Sequence, residues 1–223
     1  MNVKNKLGRD KPVKVLMGVP HMGKIETETS ISIQNLIKPC VLEGAYINST
    51  DISTARNQIC QDAVEQGFDY VFFVDSDMVF PNDTLAKLLK LQADIATPIC
   101  YSRHKPYNPC IFKAIEPSTD VERSGTAEID TRINELVPFI TGGCGMALTL
   151  ISTKAIKWLY GQNTRPFDKL MGLGEDVSFC YKVKDKFTIW VEPTIEVLHI
   201  GRKAFGKEDY LYEQDKRHRT FFE

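Results

Sequence analysis

The chain has 223 residues, 43% of them hydrophobic and 26% charged, which is enough for one substantial core and points to one domain, 1–223, rather than two. A formal net charge of −1 gives no general signal for nucleic acid or an anionic membrane. The longest apolar run, Leu136 to Ile151, is broken by Pro138 and three glycines and is too short for a transmembrane segment.

The first twelve residues are polar and charged, unlike the apolar core of a signal peptide. Six cysteines are scattered without a Cys-x-x-Cys pair, and most lie in apolar stretches. They read as buried thiols in a reducing compartment, and the expectation is a soluble cytoplasmic protein.

Val13 to Val19 reads as a first strand ending at Pro20, with His21 to Lys24 as the loop after it. A helix from Thr29 to Ile37 and a strand from Val41 to Ile47 complete a βαβ unit. Asn48 to Asp51 is a polar turn, and Asp51 or Ser53 caps a helix running to about Gln66. Arg56 and Asn57 lie in its first turns. A cation there opposes the helix dipole, and a nearby anion would resolve the conflict.

Gly67 ends that helix, and Val71-Phe72-Phe73-Val74 reads as a strand buried on both faces. The strand delivers Asp75-Ser76-Asp77. Asp-x-Asp after a strand is a common turn, because Asp bonds its own backbone. It is also a pair of hard oxygen donors at the carboxyl end of a strand, where open α/β sheets bind ligands, and it suits Mg²⁺ or Mn²⁺ with substrate phosphates completing the shell.

Pro81-Asn82 starts a helix with Leu85, Leu88 and Leu89 on its core face, followed by a short strand from Asp94 to Pro98. Tyr101 to Pro109 is a loop carrying Arg103, His104 and Lys105. Residues 114–134, rich in Glu, Asp, Ser and Thr, read as a mobile surface excursion, covering a substrate or simply disordered.

Strands from Val137 to Thr141 and from Met146 to Ile151 flank Gly142-Gly143-Cys144-Gly145, whose backbone must approach another strand or a ligand closely. Ser152 caps a helix through Tyr160. Gly174-Glu175-Asp176 opens another through Lys182, where acidic residues are favourable for ordinary reasons. Thr188 to Val191 and Ile195 to Leu198 are strands, the second delivering His199. A lone histidine there is either a satisfied core residue or a metal ligand beside the carboxylates.

The order of these features resembles the GT-A fold glycosyltransferases, in particular the family 2-like group, over most of the chain from Val13 to Gly201. The resemblance rests on Val74-Asp75-Ser76-Asp77, on Gly142 to Gly145 before a Met-Ala-Leu strand and the Ser152 helix, on Gly174-Glu175-Asp176 with Phe179, Cys180 and Tyr181 behind it, and on Val191-Glu192-Pro193 leading to Leu198-His199-Ile200-Gly201.

It implies an α/β fold of Rossmann-like type, with a mixed, mostly parallel central sheet flanked by helices. Residues 13–100 would form a nucleotide-sugar-binding half, 101–201 an acceptor and catalytic half, and 202–223 a flap or tail. Asp77, His199 and Asp75 would ligate Mn²⁺ or Mg²⁺. Pro20, Asp51, Arg56, Asn57, Asp75, Ser76 and Arg202 would hold a nucleotide-diphospho-sugar donor. Asp176 would be the general base of an inverting transfer, with Glu175 orienting acceptor or base.

The acceptor (saccharide, lipid, protein or modified nucleic acid), the donor's identity and the oligomeric state stay open. The polysaccharide synthases' Gln-x-x-Arg-Trp motif is absent, and Asn48 to Asp51 departs from the adjacent acidic residues common in the group. A sugar-phosphate nucleotidyltransferase and a noncatalytic nucleotide-sugar-binding module of the same fold are the alternatives. The loop after the first strand lacks the glycine-rich, arginine-bearing character that the first of these needs.

Overall fold

In the computed structural model, which describes residues 11–118, 120, 124–170, 172–201 and 204–220, the apolar run before Asp75 is the middle of a seven-stranded sheet. The elements in chain order begin with β1 (Lys14–His21), α1 (Thr27–Gln34), β2 (Val41–Asn48), α2 (Ile52–Glu65), β3 (Tyr70–Val74), β4 (Met78–Val79), α3 (Thr84–Lys90) and β5 (Ile95–Thr97). They continue with β6 (Ile111–Glu116), β7 (Thr126–Ile129), β8 (Phe139–Thr141), β9 (Gly143–Cys144), β10 (Leu148–Ser152) and α4 (Thr153–Gly161). The last are α5 (Glu175–Val183), β11 (Ile189–Val191), β12 (Leu198–Ile200), β13 (Ala204–Phe205) and α6 (Lys207–Thr220).

The large sheet has the order β2-β1-β3-β10-β5-β11-β8. β2, β1, β3, β5 and β11 run one way, while β10 and β8 run the other, so the sheet is mixed and mostly parallel as expected. Alternation along β3 explains why helices cover both faces. Val71 and Phe73 pack with Ile59 and Ala63 of α2, Ile156 and Leu159 of α4 and Phe179 of α5. Phe72 and Val74 pack with Leu85 and Leu88 of α3. α2 lies so close to β1 that a β-carbon on Gly18 would stand 2.5 Å from Ile59 Cγ2.

Two expectations are corrected, and one open alternative is decided. The described residues of 114–134 are not a loose excursion. β6 extends to Glu116 and pairs with β7, Ile115 and Ile133 enter the core, and the buried Asp130 carboxylate is held by Arg132 and Thr141. The polar composition of this stretch belongs to the outward side of a hairpin and to one satisfied buried carboxylate.

The glycines at 142–145 approach protein backbone. A β-carbon on Gly142 would meet the Lys113 carbonyl oxygen at 2.2 Å, because Gly143 pairs with Phe112 of β6. The strand that presents His199 starts at Leu198 and not at Ile195. The chain first turns at Glu192, whose Oε1 accepts from Thr194 Oγ1 at 2.7 Å, and it then buries Ile195 and Val197 in the core.

Among the described residues no helix is long and apolar enough to cross a membrane. The six cysteines are free thiols, and Cys60, Cys100, Cys144 and Cys180 are buried.

Candidate functional site

β3 ends at the carboxyl edge of the parallel strands, and the turn after it is pinned by its neighbours' backbone. Asp75 N donates to Ala147 O at 2.8 Å, Glu26 N to Ser76 O at 2.8 Å, and Ile200 N to Asp77 O at 2.7 Å. The chain then enters β4, which pairs antiparallel with β12 so that Met78 faces His199 in register. This short ladder is what brings an imidazole from the end of the chain to the Asp-Ser-Asp turn.

His199 Nε2 lies 3.3 Å from Asp77 Oδ2. On the other side of the ring Nδ1 is 2.9 Å from Tyr101 O. A carbonyl oxygen can only accept, so Nδ1 carries the proton and Nε2 is the nitrogen turned toward the carboxylate. Burial alone would lower the His199 pKa, but the hydrogen bond and charge of Asp77, with the Tyr101 carbonyl, outweigh it and raise it. Burial acts to raise the Asp77 pKa, and His199 with Arg103 more than reverses that, leaving it below the usual carboxylate range. Arg103 Nη1 donates to the same Asp77 Oδ2 at 2.5 Å.

Two residues upstream, Asp75 belongs to a second cluster, built on Arg56. The guanidinium, 3% exposed, donates Nη2 to Asp75 Oδ1 at 2.7 Å and Nη1 to Glu175 Oε1. α2 supplies the arginine and the first turn of α5 supplies the glutamate, so one cation ties the Asp-Ser-Asp turn to the Glu-Asp pair. Desolvation disfavours the charge, yet Asp75, Glu175 and Asp176 together hold Arg56 above its ordinary pKa.

Asp176, beside it, is displaced upward. Burial is the first cause and the Glu175 charge the second, and Arg56 and the Val177 N–H only partly oppose them. Gly145 lies beside it: a β-carbon there would stand 3.7 Å from Asp176 Oδ2, an ordinary contact, and 3.2 Å from Cys110 Cβ.

The two helix residues expected at the donor both have protein partners. Arg56 is occupied by carboxylates. Asn57, also 3% exposed, donates Nδ2 to Asp168 Oδ1 at 2.9 Å and accepts from Phe167 N at 2.9 Å. It clasps the loop before α5, where Phe167 packs between Phe73 and Phe179. The dipole conflict noted for Arg56 is answered by the protein's own anions, Asp75 and Glu175. Asp51 caps α2 through Thr54 N at 2.9 Å and is exposed, while Pro20 is buried in β1 beside Ile47. Arg202 lies outside the described residues.

The three-ligand set Asp75, Asp77 and His199 is not assembled. Among the described residues no group of three or more His, Cys, Asp or Glu side chains is placed to hold a metal, and Asp75 Oδ1 accepts from Arg56. Asp77 and His199 do fit a divalent cation as a pair. Two cis ligands at about 2.1 Å stand about 3 Å apart, close to the observed O···N separation, and Mg²⁺-type ions take much of their shell from phosphates and water.

No family model and no curated protein sequence matches the chain. Solved structures do. Protein A197 from STIV superposes with a TM-score of 0.59 at 16% identity, covering 88% of this chain and 92% of its own. GalNAc-T7, crystallised with UDP, GalNAc and Mn²⁺, superposes with a TM-score of 0.56 at 9% identity over 93% of this chain. The fold is GT-A-like.

This chain spans 48% of the GalNAc-T7 chain, and 58% of S. aureus TarS 1-349, which it matches with a TM-score of 0.49 at 18% identity. On the GT-A-like sheet, Pro20 ends the buried run of β1, Asp51 follows β2 and Asp75 follows β3, all at the carboxyl edge where a ligand is met. Sequence reasoning gave no role to Arg103. A basic loop after a strand was visible, but nothing in Arg103-His104-Lys105 says which side chain reaches Asp77.

Proposed function

We propose that this protein is a metal-dependent glycosyltransferase that moves a sugar from a nucleotide-diphospho-sugar to an acceptor hydroxyl, inverting the anomeric centre. The observation that carries the reading is the convergence of Asp77 and His199 across β4 and β12, next to a Glu175-Asp176 pair tied to the same turn by Arg56. The GT-A-like fold supports it, as does the crystallisation of GalNAc-T7 with UDP and Mn²⁺.

Asp77 and His199 would hold Mn²⁺ or Mg²⁺, and such an ion supplies Lewis-acid stabilisation to a departing diphosphate. Asp176 accepts the proton of the acceptor hydroxyl as its oxygen attacks the anomeric carbon, and the bond to the diphosphate breaks. A carboxylate with a raised pKa is the stronger base, and Glu175 contributes to that elevation through its charge. Arg56 keeps Glu175 and Asp75 in place. Asp75 and Ser76, at the end of β3, face the donor, with Pro20, Asp51 and Arg202 the further donor contacts of this reading. A cytoplasmic setting agrees with six free thiols.

The test is thermal unfolding with a panel of nucleotide-sugars, with and without Mn²⁺. A ligand at one hundred times its Kd stabilises by about 2.7 kcal/mol, and in a chain of this size that raises Tm by about 5–10 °C. One donor is expected to do so only with Mn²⁺, and Asp77→Ala to lose that shift. An Asp77→Ala protein that binds donor and Mn²⁺ as the parent does contradicts the role given to Asp77.

A further inference from the structure

Asp77 Oδ2 has two neighbours, His199 Nε2 at 3.3 Å and Arg103 Nη1 at 2.5 Å. Arg103 is therefore placed on the same oxygen that faces the imidazole, and its side chain is 45% exposed, free to leave toward solvent. Its loop is not isolated. Ser102 N bonds Asn108 O at 2.9 Å and Tyr107 N bonds His104 O at 2.8 Å, so residues 101–109 form a closed unit. That unit is fastened to the C-terminal segment. Tyr107 stacks on Phe205 with ring centres 4.8 Å apart, Tyr101 meets Tyr210, and Lys105 pairs with Glu213 of α6 at 2.8 Å.

Resting on the metal-dependent reading above, we propose that Arg103 is the resident counter-cation of Asp77, that it competes with a divalent cation for Oδ2, and that once displaced it becomes a ligand for the donor's diphosphate. Asp77 is never left as an uncompensated half-buried carboxylate, since a guanidinium or a divalent ion always neutralises it. The displaced arginine is a cation on a short tether at the edge of the site. A planar fork of N–H donors matches phosphate oxygens as well as it matches a carboxylate.

The proposal makes one substitution act with opposite signs on two ligands. Arg103→Gln is expected to tighten Mn²⁺ binding, measured by EPR of free Mn²⁺ with no donor present, by about two- to five-fold, the equilibrium worth of a part-exposed ion pair. With Mn²⁺ saturating, the same variant is expected to bind inorganic pyrophosphate several-fold more weakly. Arg103→Lys, which keeps the charge, stays near the parent in the first measurement. Equal Mn²⁺ affinity in Arg103→Gln and parent, or unchanged pyrophosphate binding, overturns the proposal while leaving the metal-dependent reading intact. Absence of Mn²⁺ binding in both proteins, with or without pyrophosphate, overturns the two together.

Discussion

Replacing Asp176, the proposed general base, by asparagine is expected to lower kcat by about 10²- to 10⁴-fold, the usual worth of such a group, and at the same time to raise Tm. The two effects share one cause. Burial and the neighbouring Glu175 charge push the Asp176 pKa above its ordinary value, so the ionised form that the proposed base requires is the form folding disfavours. The sign is fixed by linkage. A carboxylic acid whose folded pKa lies above its unfolded pKa costs stability when ionised, and that cost is full above the folded pKa and vanishes below the unfolded one.

The parent therefore recovers stability as pH falls through the Asp176 pKa, whereas the asparagine variant lacks this contribution. Near neutral pH the variant melts higher, and the gap closes on mild acidification. The acid limb of kcat/KM in the parent falls at a pH above the ordinary Asp range. Steady-state kinetics and thermal unfolding at a series of pH values check both halves. A variant that is inactive and also less stable at neutral pH would mean that Asp176 is held by interactions that favour its charge.

Arg56→Met is expected to be the most destabilising single change near the site, by about 3–5 kcal/mol, because it leaves Asp75 and Glu175 facing each other without the cation between them. The pair alone is a poor measure of what it adds, since desolvating the guanidinium is costly and its Nε has no hydrogen-bond partner among the described residues. Breaking one side is the expensive event. Adding Glu175→Gln to Arg56→Met removes one stranded carboxylate and is expected to restore about 1–3 kcal/mol, the range of coupling between contacting residues. Urea unfolding of the single and double variants measures this. A cost below about 1 kcal/mol for Arg56→Met would show that the cluster is solvated and does not tie α5 to the turn after β3.

The strand before Asp75 was legible because four large apolar residues in a row, too few for a helix and bounded by turn residues, read as a strand covered on both faces, and Gly67, Asp51 and Ser152 punctuate as turn and cap chemistry demands. The turn that carries Asp77 and the helix start that carries Asp176 followed from those elements, whereas His199 sits inside β12 and not after a strand from Ile195. What was not legible depends on pairing across long stretches of sequence. β4 is two residues long and has no pattern of its own, and it exists because β12 pairs with it. Residues 114–134 hide a hairpin since Asp130, a charge in a composition that reads as surface, is satisfied by Arg132 and Thr141. Arg56 was recognised as an odd cation at a helix start. Which anion answers it required the position of Glu175, which no local signal supplies.

Diffraction at the Mn²⁺ absorption edge, from crystals grown with Mn²⁺ and a nucleoside diphosphate, tests the central claim most directly. The account predicts one anomalous peak bonded to both Asp77 Oδ2 and His199 Nε2, with diphosphate oxygens in its shell and Asp176 across the same pocket. A nucleotide bound with no peak at that pair, or a peak held by other side chains, contradicts it.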